Sequence, residues 1–355
     1  MTRVLLDCRW LSRGGAGTLT AFLLKGLAQE PPAEEWVLWG DREIEPLAWS
    51  GAEVAVTSTH PIAMWGQRGW LQLPACDLAV FMHQVRPLRP VPSVTVVLDT
   101  IALRNARSRL ERQVKGWFLR RVAAMAREIV TISEHSKMSI VRDLGVPADR
   151  VTVLSIPIDE EFAEQVERRR RTVPPADVAL FVGAFTRNKN LPMLVRVFER
   201  TRFFAEGGQL VVVGGSVPQV RALTSQVPST AAHAVHVRGR CSQDELYDLF
   251  ASSLFLVQPS LEEGFGLPVR EALSCGLPVC VSDGGALPEI TRGLAEPFPA
   301  ASEEAMAAAI DASADRARRV RAEQGFRPRS SAELGAPSAV TFAKELRRIV
   351  NRNLT

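Results

Sequence analysis

The sequence has few cysteines, no long apolar run and almost no surplus charge, and each shortage removes a class of protein. Its five cysteines, Cys8, Cys76, Cys241, Cys275 and Cys280, are odd in number and lack any Cys-x-x-Cys spacing. Neither a disulfide framework nor a structural zinc site is expected, and a reducing cytoplasm fits. Arg3, Asp7 and Arg9 interrupt the N-terminus before a signal-like run can form, and no later stretch reaches the roughly 18 apolar residues of a membrane span. With 43 basic and 39 acidic residues the net charge is only +4, which gives little support for nucleic-acid binding. A full Gly-x-Gly-x-x-Gly fingerprint and a Gly-Lys-Ser/Thr phosphate loop are missing as well, which weighs against an NAD-dependent oxidoreductase.

What the chain does contain is enough apolar material, 46% of 355 residues, for two domains of roughly 150 residues each. Short apolar runs recur at Val4–Leu6, Trp36–Trp39, Glu53–Val56, Leu78–Phe81, Val94–Leu98, Ile129–Ile132 and Val151–Leu154. The texture restarts at Val178–Val182 and continues at Leu210–Val213, Val235–Val237, Leu254–Val257 and Val279–Val281. Runs with little alternation suit strands covered on both faces, so both halves read as α/β with mostly parallel sheets. Helices are expected at Thr18–Gln29, Leu110–Arg127, Glu134–Leu144, Leu191–Phe204, Gln243–Ala251, Leu267–Cys275, Glu303–Ala314 and Val340–Arg352. Glu161–Pro175, with its arginine run and Pro174-Pro175, marks the boundary. The domains expected are therefore residues 1–165 and 176–330, followed by a helical segment at 331–355. Phe342, Leu346, Ile349 and Val350 of that segment need an apolar surface, either on the second domain or back across the junction.

The densest chemistry lies at Gln258-Pro-Ser-Leu-Glu-Glu-Gly-Phe-Gly-Leu-Pro-Val-Arg-Glu-Ala272. Gly264 and Gly266 permit a tight turn, and Pro268 favours an early helical position, so backbone N–H groups there can face an anion. Glu263 would stand in the loop and Glu271 on the helix; the competing view makes them a first-turn charge and a solvated helix acid. Glu262, before the turn, is expected to face solvent. Lys189, with Arg187 as a second candidate, follows the strand ending at Gly183 and can meet a diphosphate, unless this is an ordinary basic loop. Arg13-Gly-Gly-Ala-Gly-Thr18 opens the first helix, and Gly15 and Gly17 either admit a phosphate or serve close packing. His83 and His135 fall at strand ends near a cleft, as ligands or as hydrogen-bonded structural histidines. His60, His233 and His236 form no convincing metal constellation, so no metal site is expected.

Together these motifs resemble the large retaining glycosyltransferase family four, in particular its mannosyltransferase-like members. The residues that carry the likeness are Asp7-Cys-Arg-Trp-Leu with Gly14–Gly17, Ile132-Ser-Glu-His-Ser136, Arg150–Leu154, Gly183 with Lys189-Asn-Leu191, Gly239 with Asp244-Glu-Leu246, Pro259–Pro268, Glu271-Ala272, Cys275–Val279 and Gly284–Ile290. The resemblance implies an α/β GT-B architecture, two Rossmann-like domains with an interdomain cleft, the first on the acceptor side and the second binding the nucleotide sugar. It assigns Glu271 to the donor ribose, Glu263 to hydroxyls of the transferred sugar, and Lys189 to the diphosphate. Phe265, Gly266 and Leu267 then offer backbone to phosphate or sugar, and Gly239 and Arg240 lie near the base. Many members carry a His-Asp pair where this chain has Leu98-Asp99, so Asp99, His83 or the acceptor itself must replace the histidine, or diphosphate stabilisation carries the reaction.

The expected reaction is retaining transfer of a hexosyl group from a nucleoside diphosphate sugar to an acceptor hydroxyl, needing no cofactor or divalent metal. GDP-mannose is slightly preferred over UDP-glucose, UDP-N-acetylglucosamine and dTDP-sugars. The alternatives are a donor-binding scaffold that has lost turnover and a glycoside hydrolase using Glu263 and Glu271. Residues 104–127 hold seven arginines and Lys115 around Leu110, Val114, Phe118, Val122 and Met125, with Trp117 beside them. This helix is expected either to bury its apolar stripe in the first domain or to bring a basic face to anionic lipid or a phosphorylated acceptor. The second reading would place a cytoplasmic protein peripherally on the inner face of a membrane.

Overall fold

The computed structural model describes residues 2–11, 14–57, 73–88 and 90–354. The apolar runs become strands, most of them buried on both faces, while the runs at Glu53–Val56 and Val235–Gly239 keep exposed positions. The chain divides into two compact units, residues 1–157 with 336–355, and residues 158–335.

The first unit carries β1 (Arg3–Asp7), β2 (Glu35–Gly40), β3 (Glu53–Val56), β4 (Leu78–Phe81), β5 (Ser93–Val96), β6 (Glu128–Thr131) and β7 (Val151–Val153). They form one parallel sheet in the order β3-β2-β1-β4-β5-β6-β7. Its helices are α1 (Gly14–Gln29), α2 (Ile101–Arg104), α3 (Arg109–Met125) and α4 (Glu134–Leu144). The second unit begins with α5 (Glu160–Arg170) and carries β8 (Val178–Val182), β9 (Gln209–Gly215), β10 (Val235–Gly239), β11 (Phe255–Gln258) and β12 (Val279–Val281). These are parallel in the order β10-β9-β8-β11-β12. Around them stand α6 (Leu191–Phe198), α7 (Arg202–Ala205), α8 (Val217–Thr224), α9 (Gln243–Ser252), α10 (Leu267–Ser274), α11 (Leu287–Thr291) and α12 (Glu303–Glu323). The last helix, α13 (Ala339–Leu354), returns to the first unit.

Several boundaries differ from the sequence expectation. The first helix starts at Gly14 rather than Thr18, because a Cβ on Gly17 would lie 2.3 Å from the Leu11 carbonyl oxygen. Only glycine lets that first turn rest on the loop after β1. The stretch read as a boundary folds as α5: Asp159 accepts from the Phe162 N–H at 3.1 Å and caps it. Phe162 then packs edge-on against Tyr247 and Phe250 of α9, at 5.2 and 5.0 Å between ring centroids. Three burials, Phe162, Ala163 and Val166, sufficed for a helix whose remaining surface is charged. The expected division at residue 165 therefore moves to Pro157, and the tail divides at Gly335 instead of starting at 331. Leu191–Phe204 is broken into α6 and α7 by Thr201, whose hydroxyl caps the second piece by accepting from Phe204 N–H at 3.1 Å.

α13 lies along α1 so closely that a Cβ on Gly26 would stand 2.2 Å from the Ala339 carbonyl oxygen. Phe342, Leu346, Ile349 and Val350 are buried, while Lys344 and Arg347 pair with Glu30 at 2.9 Å and Glu34 at 3.3 Å. Arg352 pairs with Glu128 at the edge of β6, and Asn353 donates to the same carboxylate at 2.7 Å. Truncating a buried aromatic side chain leaves a cavity as well as lost transfer energy. Phe342→Ala should therefore lower the unfolding free energy by about 3–5 kcal/mol in urea denaturation; a loss within error of zero would show that α13 is not part of this core.

Candidate active site

In a parallel sheet whose strand order reverses, the loops leaving the two central strands diverge and open a crevice at their carboxyl ends. In the second unit the reversal falls between β8 and β11. The loops it opens carry Lys189 and Glu263.

After β8 the chain makes a single 3-10 turn over Arg187–Lys189 and reverses at Asn190, which adopts φ +57°. Asn190 is suited to that left-handed position by its short amide, which also donates to the Ala300 carbonyl at 3.0 Å. Asn188 ties this loop to the other. Its amide donates to Glu262 O at 3.0 Å, and its own carbonyl accepts from Leu261 N–H at 2.7 Å. Between these ties, Lys189 forms an ion pair with Glu263, each side chain 12% exposed. Gln258 Nε2 and Ser260 Oγ add longer contacts to the same carboxylate oxygen, both 3.3 Å. The Glu263 backbone is held from behind, where Ala286 N–H donates to its carbonyl at 2.9 Å and a Cβ on Gly285 would stand 2.3 Å from that oxygen. Gly183, at the end of β8, lies beside the Lys189 stem: a Cβ there would be in ordinary contact with Cε at 3.8 Å and closer, at 3.2 Å, to the Phe181 ring.

Gly266 caps α10 with φ +84°, and Pro268 occupies the first turn. The N–H groups of Phe265, Gly266 and Leu267 have no acceptor among the described residues. An anion at this helix start would meet unused donors and the positive end of the helix dipole. Glu262 is half-buried, not fully solvated as expected, because the Asn188 tie draws its backbone into the loop pair.

Glu271 projects from α10, and burial pushes its carboxyl up to about 7, with repulsion from Asp159 adding to the effect. No hydrogen bond or ion pair reaches this side chain among the described residues. Gly239 ends β10, where the ladder slips by one residue after Arg238, and Arg240 follows it. They line a cavity of about 350 Å³ with Val173, Cys241, Glu245 and Leu249. Arg187 is not brought to Glu263: it is exposed and lines a separate hollow with Phe185, Pro192 and Gln219.

The first unit repeats the reversal between β1 and β4. Trp10, after β1, stacks at 3.9 Å on His83, after β4. Burial lowers the His83 pKa to about 4 against the opposing pull of Asp7, so the ring is neutral near pH 7, and its Nδ1 accepts from Val85 N–H at 3.0 Å. Gly15 lies on the exposed side of the first turn of α1, and Gly17 is buried by the close packing described above. Asp99 leads into α2 and accepts from Ile101 N–H at 2.9 Å. His135 is half-buried in the first turn of α4; Arg13 and His60 lie outside the described residues. His233 sits beside Phe204, ring centroids 5.6 Å apart, and His236 lies within β10.

Asn188, Gln258 and Ser260 organise this site and were passed over in favour of the charged residues. The available signal was their place within the same short loops; what they bond to is a tertiary matter.

Residues 176–315 match the family model described as Glycosyl transferases group 1. O-antigen chain mannosyltransferase B of Escherichia coli is 25% identical over 173 residues, 46% of this chain and 45% of that protein. MMP alpha-(1->4)-mannosyltransferase of Mycolicibacterium hassiacum is 29% identical over 186 residues, 50% of this chain and 43% of that protein. The chain thus spans about half the length of the curated relatives it matches. The crystal structure of Anabaena HepE in complex with UDP and glucose superposes with a TM-score of 0.67 at 16% identity, covering 99% of this chain and 100% of that one. At that identity the likeness is one of fold, and the fold is the GT-B architecture.

The raised Glu271 pKa sets a pH dependence. An unfolded glutamate titrates near 4.3, so between about pH 4.3 and 7 the folded chain holds a proton that the unfolded chain has released. Stability linked to this group is full below that window and falls across it. Glu271→Gln should melt at a higher temperature than the parent at pH 8, with the difference closing near pH 4; a constant offset at both pH values would contradict the assignment.

Proposed function

We propose that this chain, whose second unit is a glycosyl transferases group 1 domain, is a retaining glycosyltransferase that moves a hexosyl group from a nucleoside diphosphate sugar to an acceptor hydroxyl. The observation that carries this reading is the Lys189–Glu263 pair, set at the β8/β11 reversal in the same loop as the unused N–H groups of residues 265–267. A cation, a carboxylate and a helix start in one crevice suit a ligand with a polyanionic part and a hydroxylated part.

Lys189 and the N–H groups serve the diphosphate. Their charge and dipoles stabilise the negative charge that grows on the leaving group as the glycosidic bond lengthens. Glu263 accepts from hydroxyls of the sugar, whose ring turns oxocarbenium-like, and Lys189 between carboxylate and phosphate relieves the repulsion of two anions. Glu271 accepts from the ribose hydroxyls, and the cavity at Gly239 and Arg240 takes the base. In the same-face route a phosphate oxygen of the leaving group takes the acceptor proton, so the reaction proceeds with Leu98 in place of a histidine. On the acceptor side, neutral His83 and Asp99 are the groups assigned to meet the acceptor. The scheme needs no cofactor and no divalent metal.

Glycoside hydrolysis fits less well. A carboxylate that works as nucleophile or base is poorly served by a direct lysine partner, which lowers its basicity. The mannosyltransferase names of two relatives favour GDP-mannose, while the UDP and glucose belong to the Anabaena protein and keep UDP-sugars in the test panel. Leu98 supports a second reading, a donor-binding scaffold without turnover.

A donor panel followed by nucleotide release separates these readings, and NMR of the product anomer tests retention. Lys189→Ala should lower kcat by about 10²–10³-fold, equivalent to about 2.7–4 kcal/mol at the transition state, in protein shown to be folded by circular dichroism. Full turnover in that variant would sink the site assignment. Because Glu271 acts as an ionised acceptor, nucleotide-sugar affinity should rise from pH 6 to 8, and calorimetry on Glu271→Gln should show this rise abolished.

A further inference from the structure

At the strand reversal of the first unit, three loops leave the neighbouring strands β1, β4 and β5 side by side. Trp10 stands after β1, His83 and Gln84 after β4, and Leu98 after β5. The stacking of Trp10 on His83 ties the first loop to the second. Gln84 Oε1 accepts from Leu98 N–H at 3.3 Å, which ties the second to the third.

His83 Nδ1 is taken by the Val85 N–H, so the neutral ring carries its proton on Nε2. That second N–H has no acceptor among the described residues. It can donate to an oxygen and cannot take a proton from one. Trp10 is half-buried, makes no ring contact besides His83 and finds no acceptor for its indole N–H among the described residues. A buried indole N–H usually has a partner, so this ring is placed by its faces and not by a hydrogen bond. The cations described at these strand ends are already committed. Arg9 pairs with Asp7 at 2.7 Å, both side chains fully buried, and Arg86, 2% exposed, donates to the Ser93 and Thr95 hydroxyls at 2.5 and 3.0 Å. A ring face beside one neutral donor suits a ligand that is uncharged, hydroxylated and apolar on one side. A pyranose has that form: its axial C–H bonds gather on a face drawn to the negative π-cloud of an indole, while hydroxyls at its rim reach the polar groups of the wall.

We propose, on the transferase reading above, that the acceptor is itself a sugar: a pyranoside stacks on the face of Trp10 away from His83, and His83 Nε2–H donates to a hydroxyl oxygen beside the one that is glycosylated. Trp10 then selects the acceptor and His83 orients it. A linear polyol with the same hydroxyls lacks the fixed apolar face, and a simple lipid alcohol lacks the neighbouring hydroxyl.

The full chain is titrated with the methyl pyranosides of mannose, glucose, galactose, rhamnose and N-acetylglucosamine, and with mannitol as the linear control, while tryptophan fluorescence is recorded. At least one pyranoside should give a saturable change and mannitol none. The change should vanish in Trp10→Phe, which removes the reporting indole and leaves a ring. With that pyranoside as acceptor, Trp10→Ala should raise the acceptor KM about tenfold or more with the donor KM unchanged, and Trp10→Phe should stay within about threefold of the parent. His83→Gln, which keeps an N–H near the Nε2 position, should turn over faster than His83→Leu. Affinity for GDP or UDP, read by calorimetry, should be the same in all of these variants. A chain that binds either nucleotide yet responds to no pyranoside, responds equally to mannitol, or keeps its acceptor KM in Trp10→Ala overturns this inference alone. A pyranoside response confined to Trp10 in a chain that binds neither nucleotide supports the sugar subsite and sinks the transferase reading, and no response to either class overturns both.

Discussion

An ion pair removed from most of the solvent is stable only while both charges are held together, and Lys189 and Glu263 are held by two loops that lie 74 residues apart. The constraint that unites them is the reversal of strand order between β8 and β11. Had the chain wound in one direction only, a third strand would separate these loops. Asn188 then sets the register between the loops, and Gly284 and Gly285 let the segment after β12 press against the Ser260 and Glu263 backbone, where a Cβ would come within 1.9 and 2.3 Å of carbonyl oxygens. The charged pair rests on neutral backbone contacts that themselves bear no chemistry.

The two reversals are used differently. In the second unit the crevice presents a lysine and two glutamates in unlike surroundings: Glu263 is neutralised by a cation, and Glu271 has no cation partner among the described residues and is held up near 7 by burial. In the first unit the charges are spent inside the structure. Asp7 and Arg9 pair at 2.7 Å with both side chains fully buried, Arg9 lies 3.9 Å over Trp39, and His83 is kept neutral. That crevice offers ring and hydroxyl-bonding surfaces in place of net charge, a contrast that suits the division of labour proposed between an acceptor side and a polyanionic-donor side.

The strands were legible because parallel strands covered on both faces are mostly apolar, and each of the twelve runs read from the chain became a strand among the described residues, including β3 and β10, which keep exposed positions. Helices with one buried stripe were legible too, as α4 and α13 show. Those held by a few contacts were not: α5 rests on Phe162 meeting two rings on α9, and its own sequence is mostly charged, with Phe162, Ala163 and Val166 as its buried residues. The helix expected at Leu110–Arg127 forms as α3, but of its expected stripe Phe118 and Val122 are buried while Leu110 and Val114 stay exposed. Its apolar residues spread over more of the circumference than its neighbours cover, and nothing local says which part stays outside.

For the candidate site, residue type and spacing singled out Lys189, Glu263, Glu271 and the glycine turn, since a helix start flanked by glycines has a backbone geometry dictated locally, and the fold pairs Lys189 with Glu263 three residues before the Gly266 helix start. Partnership was beyond reach. That Lys189 meets Glu263 while Arg187 turns to another hollow, that Asn188 and not an arginine joins the two loops, and that Glu271 stands half-buried near Asp159 all follow from contacts between segments distant in the chain. Composition and periodicity are sums over neighbours along the chain, so they settle what each segment can become. Electrostatic environment is a sum over neighbours in space, and it exists only once the sheets have brought those segments together.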